Sequence, residues 1–187
     1  MRDAFGLIAS GQGRMGVDAL DELGHGFELK SATKSGVTTG RDVGMHTLRR
    51  YRTRYWIICK GVNRRSGFEI DECYFLSPEM MEEWISTIER RLEPDLVLLQ
   101  RVLSLMEQSN FAEEDINRLD YLVKRGSTLN NPKIQWHYVQ SHGMKIEGNP
   151  KEALKRLVSQ HPLDPAGVAA ARSMPIVPDP SPTEKEA

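Results

Sequence analysis

Asp18, Glu28 and Lys30 are the residues of this sequence whose types and spacing can do chemistry together. Two carboxylates supply the hard oxygen ligands that Mg2+ takes, with water and substrate oxygens completing its shell. A cation held that way polarises a phosphodiester and activates a water. Glu28 and Lys30 are two residues apart, so on a strand their side chains leave the same face. The ammonium then stands beside the metal, where it can orient the attacking water and offset charge growing on phosphorus. The backbone carbonyl of Leu29 is a candidate third ligand. Taken alone, D-x9-E-x-K is a loose pattern, and a hairpin with solvated charges produces the same string.

The same stretch holds a competing motif, Gly11-Gln12-Gly13-Arg14-Met15-Gly16. A dinucleotide-binding G-x-G-x-x-G needs a strand before it, a helix after it and an acidic residue about 20 positions on. Leu7-Ile8-Ala9 can be the strand. The helix fails, because seven residues separate Gly16 from Gly24 and Gly24-His25-Gly26 is a turn signal.

The elements that must position the three residues read as follows. Val17–Leu20 and Phe27–Ala32 are strands on either side of that turn, with His25 exposed in it. Residues 44–53 form a short basic helix. Tyr55–Val62 is aromatic and β-branched enough for a buried strand, residues 63–67 turn, and Phe68–Leu76 returns as a half-exposed strand. Ser77-Pro78 opens a helix whose apolar stripe is Met81, Trp84, Ile85 and Ile88. Glu93-Pro94 is expected to end it and start another, with Leu96, Leu99, Leu103 and Met106 at helical spacing. A third helical piece spans 113–125. Asn130-Asn131-Pro132 is a loop, 135–142 a short helix closed by Gly143, and 151–160 a last helix. From His161 the composition is that of a flexible tail.

The 187 residues suffice for one domain with a core. No stretch approaches the roughly 20 apolar residues of a membrane span, and the N-terminus is a poor signal peptide. Cys59 and Cys73 fit no zinc spacing and make no disulfide framework, so reduced thiols in a cytoplasmic protein are expected. The formal net charge of −1 hides segregation: residues 1–66 carry +6, residues 67–118 carry −9, and residues 119–145 carry +3. Such separation gives a positive face suited to a polyanion. Arg49, Arg50, Arg52 and Arg54 are its densest cluster and the expected phosphate footprint. His137 and His142 lie five apart on the predicted helix and share no face, which argues against a metal pair.

Three blocks of residues, in order, resemble the PvuII-type restriction endonucleases of the PD-(D/E)xK nuclease superfamily. They are Gly13 to Ala19 with Phe27 to Ser31; Tyr51-Arg52 with Trp56-Ile57 and Gly61; and Asn130 to Ile134 with Tyr138-Val139, His142-Gly143 and Lys145-Ile146. The resemblance implies an α/β fold with a mixed central β-sheet, here with an inserted helical segment. It implies Mg2+-dependent cleavage of double-stranded DNA at a short palindrome, leaving 5′-phosphate and 3′-hydroxyl ends. Asp18 and Glu28 match the metal-binding carboxylates and Lys30 the catalytic lysine. Tyr51 matches a tyrosine near the metal and is counted among the expected DNA contacts. Asn130, Asn131 and Lys133 match a segment lying against DNA, where Asn can read adenine edges and Lys a phosphate or guanine.

The sequence also departs from the family. Val17 stands where the superfamily name puts Pro. The histidine-rich recognition stretch is replaced by residues 32–47, in which Arg41 is the candidate DNA contact, so the target sequence is expected to differ. The family's N-terminal helical dimer segment has no counterpart before the first strand, and acidic helix fills 78–126 instead. A homodimer is still the expectation: either those helices provide another dimer contact, or the chain is an N-terminally shortened version of the family's. Its division of the chain is nuclease core in 1–77 and 127–160, inserted acidic helices in 78–126, and tail in 161–187. DNA is expected in a cleft between residues 31–54 and 129–145. A DNA methyltransferase of the same specificity is the expected host partner. The alternatives are a nuclease of the superfamily acting in repair, recombination or mobile elements, and a DNA-binding module without catalysis.

Overall fold

The computed structural model describes residues 1–11, 16–33, 35–65, 67–109, 111–117, 128–166 and 168–169. Residues 12–15 of the glycine motif, 118–125 of the expected third helix and the end of the expected tail fall outside them. The centre is a six-stranded mixed sheet. In chain order its strands are β1 (Ile8–Ala9), β2 (Ala19–Leu20), β3 (Gly26–Ala32), β5 (Tyr55–Arg64), β6 (Gly67–Leu76) and β8 (Met144–Lys145), which lie side by side in that order. Only β3 and β5 run parallel, Phe27 beside Tyr55 and Lys30 beside Ile58; the other neighbours are antiparallel. A parallel pair needs a crossover. Here it is made by β4 (Gly36–Thr38) and helix α1 (Met45–Tyr51).

The central strands are apolar on both faces because both are covered. On one face Trp56, Ile58, Tyr74 and Leu76 pack with Leu48 and Tyr51 of α1 and with Met81, Trp84, Ile85, Ile88 and Leu92 of helix α2 (Pro78–Gln108). Helix α3 (Trp136–His142) joins this layer through Trp136, Tyr138 and Val139. On the other face Phe27, Tyr55, Ile57 and Phe75 pack with Leu154, Leu157 and Val158 of helix α4 (Pro150–Gln160) and with Phe5 of a 3-10 turn, Arg2–Phe5.

Several expectations are corrected. Pro94 neither ends nor begins a helix: α2 runs unbroken through it for 31 residues. Proline's fixed φ is helical, so the loss is one amide donor and a crowded carbonyl, which the flanking turns tolerate. Strand β7 (Lys133–Gln135) precedes α3, so Gln135 belongs to a strand and the helix starts at Trp136. Cys59 and Cys73 are not separate thiols. They sit opposite each other on β5 and β6 with Cα atoms 4.0 Å apart and form a disulfide. His25 is half-buried rather than exposed, with Nδ1 2.7 Å from Asp21 and its ring edge-on to Tyr55. Residues 31–54 and 129–145 are not opposite walls of a cleft. Thr38 pairs with Lys133 and Gly36 with Gln135, Val43 bridges Leu129, and Asn131 N–H donates to Gly40 carbonyl at 3.0 Å. The two segments form one continuous wall.

Candidate active site

The tight β2–β3 hairpin places Asp18 beside Glu28. Ala19 faces Phe27 and Leu20 faces Gly26, and Asp18 N–H donates to Phe27 carbonyl at 2.9 Å. A side chain at position 26 would force Val17 to shift, since a Cβ there would lie 2.6 Å from Val17 Cγ1. One step further the backbone of the first strand no longer follows β3. The carboxylate of Asp18 takes its place, accepting Leu29 N–H on Oδ2 at 2.8 Å. Asp18 is thus fixed at the edge with its carboxylate exposed.

Glu28 and Lys30 project from β3 toward the face carrying α1 and α2, beside Trp56 and Ile58. Lys30 Nζ is 2.7 Å from Glu28 Oε1 and 3.8 Å from Asp18 Oδ2. All three predicted groups therefore converge. Glu28 is 7% exposed, and a buried carboxylate is stable only when paired. Its second oxygen is held by Arg54, whose Nη1 donates to Oε2 at 2.8 Å. Arg54 is itself buried and also donates to the carbonyls of Gly16 and Arg50, each at 3.2 Å. Sequence reading put Arg54 in the phosphate footprint. It is instead inside the site, because it enters β5 beside the acidic strand.

The rest of that footprint divides. Arg52 reaches across to α2, donating to Glu82 at 2.6 and 2.7 Å and to Glu89 at 2.5 and 2.7 Å, so it locks α1 to α2. Arg49 is exposed. His46 is held below the ordinary imidazole value by burial and by the Arg50 and Arg49 guanidinium groups. Burial is the larger cause, and the two guanidinium groups on α1 add to it.

Tyr51 is not a surface contact. It is 4% exposed, edge-on to Trp56 at 4.7 Å, with its hydroxyl near Gly40. Burial, and after it the Glu28 carboxylate, push its phenol up to about 12, so it stays protonated. Its position beneath the site fits a support, and the expectation of direct DNA contact is withdrawn on burial. Arg41, Asn130, Asn131 and Lys133 are exposed. Asn131 takes a left-handed φ of 50°, a conformation Asn tolerates better than most residues. His142 stacks on Tyr138 at 4.0 Å and meets Glu83 at 3.0 Å, away from His137's exposed position.

The donor set suits a hard cation with few protein ligands. Among the described residues no group of three or more His, Cys, Asp or Glu side chains is arranged to hold a metal ion. Asp18 and Glu28 thus offer two carboxylates, and backbone, water and substrate oxygens must do the rest, as Mg2+ accepts.

A mixed sheet with a carboxylate pair and a lysine on its β2–β3 hairpin defines an α/β protein of the restriction-endonuclease-like nuclease class. The family profile described as Restriction endonuclease PvuII matches residues 5–98, half of the chain, and the chain belongs to that family. It is therefore a restriction endonuclease, a hydrolase acting on DNA. None of the curated proteins compared with the chain matches it. Among the described residues no helix is long and apolar enough to cross a membrane.

Proposed function

We propose that this restriction endonuclease is a type II enzyme that hydrolyses double-stranded DNA at a defined sequence with Mg2+ as cofactor. The observation carrying this reading is the convergence of Asp18 and Glu28 on Lys30, with 3.8 and 2.7 Å separations. Asp18, Glu28 and the Leu29 carbonyl would hold the ion, which when bound supplies Lewis-acid polarisation of the scissile phosphate. Lys30 then points its ammonium at the phosphate, orienting the attacking water and offsetting the charge of the transition state. Arg54 keeps the Glu28 carboxylate in one orientation, and Leu29 N–H does the same for Asp18. Asn131, Asn130, Lys133 and Arg41, on the wall made by β4 and β7, are the proposed DNA contacts. The Asn side chains are suited to base edges and the cations to phosphate.

The active unit is proposed to be a homodimer working in the cytoplasm, with a methyltransferase protecting the host's own sites. The test is digestion of long unmethylated DNA with Mg2+, comparing wild type with Asp18→Ala. Discrete bands from the wild type alone are expected. A smear would point to a nuclease of repair or mobile elements, and equal nicking by both proteins would remove Asp18 from the reaction.

A further inference from the structure

We propose that Arg54 occupies the position of a second cation, so that each Asp18/Glu28 site takes one divalent ion rather than two. This rests on the metal-dependent reading above and adds a stoichiometry to it. A two-metal phosphodiesterase holds its ions about 3.5–4 Å apart, and a shared carboxylate can present one oxygen to each. Glu28 cannot do so here. Its Oε2 faces Arg54 Nη1 at 2.8 Å.

The guanidinium has no room to withdraw. It is 5% exposed and sits 5.8 Å over the Tyr51 ring. Its Nη1 and Nε are also committed to the carbonyls of Gly16 and Arg50. Being planar and always charged, it is a fixed cation. Lys30, on the other oxygen, is the opposite case. Its ammonium ends a flexible four-carbon stem, and it spans Oε1 at 2.7 Å and Asp18 Oδ2 at 3.8 Å. An entering ion can displace it toward the substrate. The site thus has one exchangeable cation position, between Asp18 and Oε1, and one built into the chain. Among the described residues, no third carboxylate or histidine joins the pair to rebuild a second position.

The experiment counts bound Mn2+ on the full-length protein by electron paramagnetic resonance, with circular dichroism as the folding control. Wild type is expected to saturate at one ion per chain, lost in Asp18→Ala. Arg54→Met, neutral and of similar length, is expected to saturate at two, with spin coupling between neighbouring ions. Arg54→Gln replaces it if the Met variant does not fold. Wild-type saturation at two ions, both lost in Asp18→Ala, overturns the assignment of Arg54 while leaving the metal-dependent reading intact. So does a folded Arg54 variant that stays at one. Mn2+ binding unaffected by Asp18→Ala overturns both.

Discussion

Lys30 Nζ stands 2.7 Å from Glu28 Oε1, between two carboxylates that would otherwise repel each other. In the free protein the ammonium therefore does what a metal does for the pair, and the two cations compete for the same oxygens. Lys30→Met is expected to lower the cleavage rate by about 10^3-fold, in the range lost with one transition-state donor. The same variant is expected to bind Mn2+ more tightly than wild type, since its competitor is gone. Single-turnover cleavage and an ion titration check the two arms. Weaker ion binding would show that the lysine supports the site rather than competing for it.

Asn131 combines two roles that substitution can separate. Its φ of 50° and its N–H bond to Gly40 shape the wall, while its exposed side chain is the proposed base contact. Asn131→Gly keeps the backbone conformation, because glycine adopts left-handed φ without strain. It is expected to leave the melting temperature within about 3 °C while abolishing discrimination of the target site. Asn131→Ala should lose about 1 kcal/mol of stability as well. Thermal melts and cleavage of long DNA distinguish them.

How much of this was legible beforehand depends on the range of the contact. Asp18, Glu28 and Lys30 meet through a short hairpin and a strand repeat of two, both local rules, and they converge as read. The strands and most helix starts are local too: Ser77 accepts Met80 N–H as an N-cap, and Asn149 caps α4. Arg54 was misread because its partner lies 26 residues away across a parallel pair, and no local pattern fixes which strands lie side by side. One signal was there: a charge at the mouth of the apolar run Tyr55-Trp56-Ile57-Ile58 must be paired if that strand is buried. The same non-local pairing hid the zipper between β4 and β7 and the facing of Cys59 by Cys73. Pro94 was misread for the opposite reason: a local rule was applied too strictly, since proline's fixed φ is itself helical and only one amide donor is lost.

Arg52 carries a pH prediction. Its hydrogen bonds hold Glu82 below the ordinary carboxylate value, with Ser86 and the charge of Arg52 adding to this against the effect of burial. A carboxyl group whose folded pKa is lowered contributes stability above its unfolded value, near 4.5, and loses it as pH falls through the folded value. Arg52→Ala is thus expected to be destabilised at pH 7 and to approach wild type progressively below pH 4.5. Glu82's side chain is 47% exposed, so solvent screening limits the effect. A loss of about 1–2 kcal/mol, or about 3–6 °C in melting temperature, is expected. Denaturant titrations of both proteins at pH 7 and pH 4 measure it, and a constant difference across that range would exclude the ion pairs as its source.

The distal half of α2 is the expected seat of the dimer. At 31 residues the helix is about 46 Å long, yet its core contacts end at Leu92, with Leu96 packed at the edge. Beyond them Val97, Leu98, Val102 and Leu105 are 37–62% exposed, a concentration of apolar side chains of the kind that marks an interaction surface. The spacing is self-complementary. Leu98 and Leu105, and likewise Val97 and Met106, are equidistant from a point between Arg101 and Val102. An antiparallel copy therefore sets Leu98 against Leu105 twice, as a two-fold interface requires. Leu98→Glu with Leu105→Glu should turn a dimer into a folded monomer in sedimentation velocity. It should also change plasmid cutting from linearisation to single-strand nicking, since one site can no longer be cut on both strands in a single binding event. A wild-type monomer would refute the dimer, and a variant still dimeric would move the interface elsewhere.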